Sequence, residues 1–222
     1  MSYFSKYAVV PGRSGRSRLI SLLKRFPERL VWALFVLGMG FVSIAILATV
    51  AMLLHTPFVF PSLGPTAIVF FFHPMSPSAA PRHALYGHAI GILCGYGSLL
   101  LMGLQHAGPE MGANISLPRI FAVAVSLAAT AFFMVLLKVA HAPAGATTLI
   151  ISLGLITRPL DLLVIEIAVA LLCLQAIFFN RMAGLNYPIW VGRIDSAMEE
   201  IKGAPRGGSR LQERKENIIP KR

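Results

Sequence analysis

The feature that most restricts the fold of this chain is a set of long apolar segments with few charges. Four segments are long enough to cross the hydrocarbon layer of a bilayer, which is roughly 30 Å thick. They are residues 31–54, 84–103, 119–137 and 160–179. Only 13% of the 222 residues are charged, whereas soluble domains average about 25%. The sequence therefore predicts an all-α protein embedded in a lipid bilayer.

Two shorter apolar segments, residues 57–72 and 143–156, contain glycine and proline where a membrane helix would have to be continuous. Both include a Gly-x-Thr core followed by small and then aliphatic residues, and Gly64 corresponds to Gly145. Short, interrupted segments at corresponding places in two halves of a chain are typical of transporters, where half-helices form a solute site. We therefore expect one half-helix in each segment.

The order long, short, long occurs twice, which predicts repeat one at residues 30–103 and repeat two at residues 119–180. Basic residues are concentrated in the two flanks, residues 1–29 and 181–222. The positive-inside rule places both flanks in the cytoplasm. The predicted fold is an all-α membrane protein of two inverted three-segment repeats, with four long transmembrane helices and two short, broken half-helix segments.

Two topologies are compatible with the sequence. The loop at residues 104–118 has no lysine or arginine, so residues 108–114 are expected to be extracytoplasmic. If each short segment crosses the membrane, the chain has six crossings and the repeats are inverted. If the short segments re-enter as hairpins, there are four crossings, and Arg82 and Lys138 face outward. The charge rule favours six crossings.

The start of a half-helix attracts anions, because its N–H groups are free and the positive end of its dipole lies there. We expect Gly64 to cap the first half-helix, with Pro65 at its first position, and Ala146 to begin the second. The expected anion-binding residues are Ser62, Gly64, Thr66, Gly145, Thr147 and Thr148. Alternatively, glycine and proline only kink two buried helices, and the hydroxyl groups bond to the backbone.

Four ionisable residues are further candidates, because ionisable groups inside a membrane are costly and usually functional. Arg82 precedes the second span and would either steer an anion or mark the cytoplasmic edge. His88 and His141 are either gating or coupling residues or packing residues held by hydrogen bonds. Glu166 lies deep in the fourth span, where it either couples protons, forms a salt bridge or reaches the surface.

Other patterns indicate packing rather than chemistry. Gly87, Gly91 and Gly95 recur every four residues, so they line one helix face and permit the close approach of another helix. Cys94 and Cys173 lie in apolar runs without metal-ligand spacing. No catalytic triad, carboxylate pair or metal set is present in the sequence pattern. We therefore expect no enzyme activity, no cofactor and no metal, and the net charge of +11 indicates membrane flanks rather than nucleic-acid binding.

Several short motifs follow one another along the chain. They are Phe60-Pro61-Ser62-Leu63-Gly64, Ser76-Pro77, Pro81-Arg82, Gly87-His88 and the run from His141 to Thr147. Their order resembles the HPP family of integral membrane proteins, and the resemblance covers roughly residues 30–180. The His-Pro-Pro motif that names the family reads His141-Ala142-Pro143 here. Since some members act as nitrite transporters, the resemblance implies transport of a small inorganic anion, with nitrite as the first solute to test.

The expected protein is thus a transporter or channel, and a structural or sensory membrane module without transport is the alternative. The small membrane domain has little surface to bury, so a homo-oligomer is expected. The basic N-terminal segment is interpreted as the cytoplasmic leader of a bacterial inner-membrane protein, with an organellar transit peptide as the alternative. After the last span, we expect a short amphipathic helix at residues 193–202 and disorder from residue 203.

Overall fold

The computed structural model describes residues 18–23, 25–112 and 115–191, and all regular structure within those residues is helical. In chain order the helices are α1 (Arg18–Leu23), α2 (Glu28–Leu54), α3 (Leu63–Phe72), α4 (Pro81–Leu101), α5 (Leu117–Leu136), α6 (Pro143–Ser152) and α7 (Pro159–Met182), with a 3₁₀ turn at Pro77–Ala79 before α4. The predicted all-α class, with four long helices and two short ones, is confirmed. The helix expected at residues 193–202 and the disorder expected beyond it lie outside the described residues.

The four long helices have the length and composition of membrane spans. They are α2, α4, α5 and α7, with 20 to 27 residues and mean hydropathy between 1.4 and 2.6 in their most apolar windows. Many of their large apolar side chains are exposed on the outside of the helix bundle. A surface of this kind is stable against lipid rather than water, so the chain is a multi-pass membrane protein.

The two short helices, α3 and α6, have ten residues each and are therefore roughly 15 Å long, half of the hydrocarbon layer. Both begin earlier than the sequence predicted. Leu63 N–H donates to Phe60 O, and Gly145 N–H donates to Ala142 O, so the first turn closes before the expected starts at Pro65 and Ala146. Tight i→i+3 bonds of this kind satisfy amides at helix ends that would otherwise be free.

Proline marks the beginning of four helices. Pro81, Pro118, Pro143 and Pro159 each occupy one of the first two positions of α4, α5, α6 and α7 respectively. A proline there loses no hydrogen bond, because the first helical N–H groups have no partner in the helix, and its fixed φ suits the first turn. The chain can therefore begin new helices after short loops on both sides of the membrane domain.

The glycine face of α4 packs closely against α6, as its spacing predicted. A Cβ atom built on Gly87 would lie 2.9 Å from the Cβ of His141, and one built on Gly95 would lie 3.0 Å from the Cβ of Ile151. Earlier residues of α4 thus meet earlier residues of α6, so the two helices run parallel. The close approach requires glycine, because any side chain would overlap the neighbouring helix.

Contacts at the helix ends give the direction of the other helices. We call the side that holds the first residue of α4 side A and the opposite side, with the last residue of α4, side B. Tyr187, after α7, donates its hydroxyl proton to Ala79 O, so α7 ends at side A. Phe71, near the end of α3, has its ring centroid 6.4 Å from that of Phe35 and 6.5 Å from that of Phe179. Helix α3 therefore also ends at side A.

The direction of the chain alternates through all six helices of the two predicted repeats. Helices α2, α4 and α6 run from side A to side B, and α3, α5 and α7 run back. Each short helix packs against the first long helix of its own repeat and the last long helix of the other repeat. This arrangement is consistent with an inverted repeat in which the short segments cross the membrane.

Candidate functional site

Five buried polar side chains meet where α3, α4 and α6 approach one another, and we call them the polar cluster. They are Ser62, Thr66, His88, His141 and Thr147, each no more than 1% exposed. Ser62 Oγ lies 2.7 Å from Thr147 Oγ1, which lies 2.7 Å from His88 Nδ1. Thr66 Oγ1 lies 3.1 Å from His88 Nε2 and 3.3 Å from His141 Nε2. Both repeats therefore contribute to a single hydrogen-bonded group.

The short helices overlap side by side over their first turns, which is why their polar residues meet. Ser62 is the residue before α3 and contacts Thr147 in the second turn of α6. Thr66 in α3 contacts His141, which lies just before α6. Because the two helices run in opposite directions, their positive ends flank the polar cluster from opposite sides.

The hydrogen bonds of the polar cluster form a continuous chain, and the donor is fixed where a member of the chain bonds to a backbone carbonyl oxygen. A carbonyl oxygen can only accept, so His141 Nδ1 donates its proton to Ser78 O over 2.8 Å. The Thr66 hydroxyl lies 2.8 Å from Ser62 O, a second acceptor. Each nitrogen of both imidazole rings thus has an oxygen partner from the protein. Two adjacent imidazoles with hydroxyl groups between them can hold and exchange a proton.

The other predicted donor residues lie beside the polar cluster rather than in it. Thr148 is buried, but its hydroxyl group lies 2.9 Å from Thr130 Oγ1 and 3.2 Å from Gly91 O, and it has no hydrogen bond to the cluster among those described. A Cβ on Gly64 would meet no atom within 4 Å, and one on Gly145 would meet only Leu127 in that range. These two glycines therefore adjoin open space and helix α5 respectively.

Two predicted ionisable residues lie away from the polar cluster. Arg82 is in the first turn of α4 at side A, partly exposed, and its backbone N–H donates to Trp190 O. Glu166 is in α7, and its Oε2 atom is buried without a hydrogen-bond partner among the described residues. Of the predicted site residues, the structure therefore brings together Ser62, Thr66, His88, His141 and Thr147, but not Arg82 or Glu166.

Arg119 is a buried cation that was not among the predicted site residues. It is fully buried at side B, where its guanidinium donates to Ser152 O at the end of α6 and to Gly108 O in the loop after α4. It also lies 3.6 Å from the carboxylate of Glu110. The sequence did contain a sign that Arg119 is a candidate functional residue, because it lies at the start of an apolar run and charges within a membrane are rare.

Glu110 completes this contact outside the membrane-spanning helices. Hydrogen bonds from Ser116 and the positive charge of Arg119 hold the pKa of the Glu110 carboxyl below its ordinary value. We call Glu110, Ser116 and Arg119 the side B clamp. The clamp ties the loop between α4 and α5 to the end of α6, so it fixes the far end of the half-helix that carries Thr147.

The described residues contain no group of three or more His, Cys, Asp or Glu side chains placed to hold a metal ion. The polar cluster itself offers two imidazoles and three hydroxyl groups. Those groups can donate hydrogen bonds to a small solute, and they contain neither a carboxylate nor a thiol.

Comparison with protein families gave one match across most of the chain. A family model described as HPP, transmembrane region, matches residues 25–188. This range includes the five residues of the polar cluster and the neighbouring Thr130 and Thr148. Neither the comparison with curated proteins nor the comparison with solved structures found a match.

Proposed function

The chain belongs to the HPP transmembrane family, and on that premise we propose that it carries a small inorganic anion across the membrane, with nitrite as the first solute to test. The observation that supports this proposal is the polar cluster. Hydroxyl and imidazole groups from both repeats converge in the interior of a membrane protein, between the positive ends of two half-helices.

The proposed binding step replaces contacts within the polar cluster by contacts to the anion. In the structure, the hydroxyl groups of Ser62 and Thr147 are hydrogen-bonded to each other, and that of Thr147 is also bonded to His88 Nδ1. A small movement of α3 relative to α6 would separate the two hydroxyl groups and let both donate to an anion. Hydrogen bonds to a charged acceptor are roughly twice as strong as neutral ones, so the exchange is favourable for an anion.

Residues around the polar cluster have supporting roles in this proposal. Thr148 and the backbone of Gly64 and Gly145 line the path next to the site. Arg82 attracts anions towards side A, where it is partly exposed. We further propose that both termini are cytoplasmic, that the protein lies in a bacterial inner membrane as a homo-oligomer, and that it has no catalytic activity.

A second candidate function is a structural or sensory membrane module. One observation favours it, because all five side chains of the polar cluster have partners within the protein and need no solute. Such a network also packs helices in proteins that transport nothing. Transport and packing therefore have to be separated by experiment.

The experiment replaces Thr66 and Thr147 by valine, singly and together, and measures nitrite binding and uptake at matched expression. Each valine keeps the volume and removes one donor, so each single variant should bind nitrite about ten- to hundredfold more weakly. The fold-loss of nitrite affinity in the double variant should be smaller than the product of the two single fold-losses, because both hydroxyl groups coordinate one ion.

The matched control is Thr49→Val, since Thr49 is exposed on α2 and its hydroxyl donates only to Ala45 O within the same helix. This variant should transport like the wild type. If both single variants in the polar cluster also behave like the wild type, the packing function is correct and the proposed anion site is wrong.

A further inference from the structure

The polar cluster has no fixed positive charge to balance an anion. Among the described residues, the guanidinium groups of Arg119 and Arg181 bond elsewhere. Arg119 donates to Ser152 O and Gly108 O, and Arg181 donates to Tyr187 O. The five side chains of the polar cluster bond only to one another and to backbone oxygens. An anion placed among them would therefore meet no permanent cation.

An unbalanced charge in the interior of a membrane protein is expensive. The idealised cost of moving an ion from water to a medium of low dielectric constant is on the order of 20 kcal/mol, and several kcal/mol remain after relaxation. Each half-helix end supplies only about half an elementary charge. Several first-turn amides, including Leu63, Ala144 and Gly145 N–H, already donate to backbone oxygens. The helix ends thus leave part of the anion's charge uncompensated.

The imidazole rings can supply the missing charge. His88 has Thr147 Oγ1 on one nitrogen and Thr66 Oγ1 on the other. His141 has Ser78 O and Thr66 Oγ1. Either ring can therefore take up a proton and still have an oxygen acceptor for each N–H group, and the Thr66 hydroxyl joins the two rings.

Only one proton fits this arrangement. The ring centroids of His88 and His141 are 5.1 Å apart, and two positive charges at that distance repel strongly in a buried site. A single proton shared by the two rings balances a single monovalent anion, whereas two protons would require a second anion.

The surroundings add few charges that compete with this pair. Helices α3 and α6 carry no titratable side chain within their bounds. Helix α4 contributes His83, whose Nδ1 accepts from Ala140 N–H. Helix α5 contributes Arg119, which lies in its first turn at side B. The titratable groups on α7 are Asp161, Glu166, Cys173 and Arg181, and Tyr187 is the titratable group among the described residues that follow it.

We propose that the anion binds together with one proton held by the His88–His141 pair, so that the protein moves a proton and a monovalent anion together without net charge. This inference rests on the proposed anion site and adds that anion transport at that site is coupled to proton transport. The proton passes from bulk water to an imidazole nitrogen on binding and leaves with the anion on the other side of the membrane. The anion itself undergoes no chemical change.

The first test measures nitrite binding to the purified full-length protein as a function of pH. If one proton binds with each anion, the nitrite Kd rises about tenfold per pH unit once the free imidazoles are neutral. One proton per bound nitrite should also disappear from a weakly buffered solution that contains a pH indicator. A Kd that does not change between pH 6 and pH 8 overturns the coupling but leaves the anion site intact. Absence of nitrite binding at every pH overturns the proposed function itself.

The second test uses variants and membrane potential. His88→Gln combined with His141→Gln should abolish the pH dependence of nitrite binding, whereas His106→Gln, in the exposed loop after α4, should keep it. In liposomes, nitrite uptake above that of protein-free vesicles should not change when a potassium gradient and valinomycin impose a potential. Uptake that follows the potential identifies a channel or uniporter and refutes the coupling without any variant.

Discussion

The close contact between α4 and α6 gives a prediction that can be worked out from two glycines of one helix. A Cβ added at Gly91 would lie 2.8 Å from Ala144 O and 2.9 Å from Thr148 Oγ1. A Cβ added at Gly97, six residues later, would meet no atom within 4 Å. Gly91→Ala should therefore destabilise the protein, and Gly97→Ala should not.

The change in the free energy of unfolding follows from two opposing effects. Replacing glycine by alanine within a helix stabilises it by roughly 0.8–1 kcal/mol, and this gain is common to both variants. Only Gly91→Ala overpacks the interface, where one extra methyl group costs about 1–3 kcal/mol. The overlap is with a backbone carbonyl, so a side-chain rotation cannot relieve it and the two helices must separate. The difference between the variants is therefore the overpacking cost alone.

Thermal unfolding of both variants in the same detergent measures this difference. For a protein of 150–250 residues, 1 kcal/mol corresponds to roughly 2–4 °C, so Gly91→Ala should unfold about 2–12 °C below Gly97→Ala. Nitrite binding should weaken in Gly91→Ala as well, because α6 carries Thr147. Equal midpoints, or a more stable Gly91→Ala, would refute the close packing of α4 and α6 and the direction assigned to α6.

Two further predictions concern side B. Met111→Cys, in a background without the two native cysteines, should react with a membrane-impermeant thiol reagent added to intact cells, because Met111 is 60% exposed in the loop expected outside; labelling only after lysis would reverse the assigned topology. The side B clamp should weaken in acid. The pKa of Glu110 is below its ordinary value in the folded state because of Ser116 and Arg119, so its stabilising effect is complete above the unfolded-state pKa of about 4.3 and is lost as pH falls through the lower folded value. Thermal scans from pH 6 to pH 3 should show a smaller loss of stability in Glu110→Gln than in the wild type, and parallel curves would contradict the clamp.

Hydropathy predicted the membrane spans because it depends on local composition alone. An apolar run of about 20 residues has few alternatives to a spanning helix, since backbone groups must bond internally in lipid. The repeated Gly-x-Thr segments predicted the short helices for a similar reason. Thr66 and Thr147 could also be placed near one another, because half-helices of two repeats usually meet at the solute site.

The starts of the short helices were predicted less well. Gly64 looked like a cap with Pro65 at the first helical position, and Ala146 looked like the start of the second short helix. Instead α3 begins at Leu63 and α6 at Pro143, because the N–H groups of Leu63, Ala144 and Gly145 form i→i+3 bonds. As a result Thr66 is the fourth residue of α3 rather than a first-turn residue, and its own N–H donates to Ser62 O. Helix ends depend on which few hydrogen bonds form, and small energy differences decide them.

The pairing of the histidines could not be predicted, because it depends on tertiary packing. His88 and His141 are far apart in the sequence, and a single helical histidine is usually a packing residue. Their contact arises because Gly87, next to His88, lets α6 approach so closely that its Cβ position would overlap His141. The glycine spacing was visible in the sequence, but the residue that it would face on another helix was not.

The two repeats match in their hydroxyl groups but not in their ionisable groups. When Gly64 is aligned with Gly145, Thr66 corresponds to Thr147, yet the residue that corresponds to His141 is Phe60. His88 and Glu166 are each the eighth residue of their helices, so repeat two has an acid where repeat one has a base. In the proposed coupled cycle, the hydroxyl donors would serve an anion equally from either side, while the proton would be held only by His88 of α4 and by His141 before α6. A site with symmetric donors and an asymmetric proton would bind the anion in the same place throughout the cycle and use the position of the proton to distinguish one side of the membrane from the other.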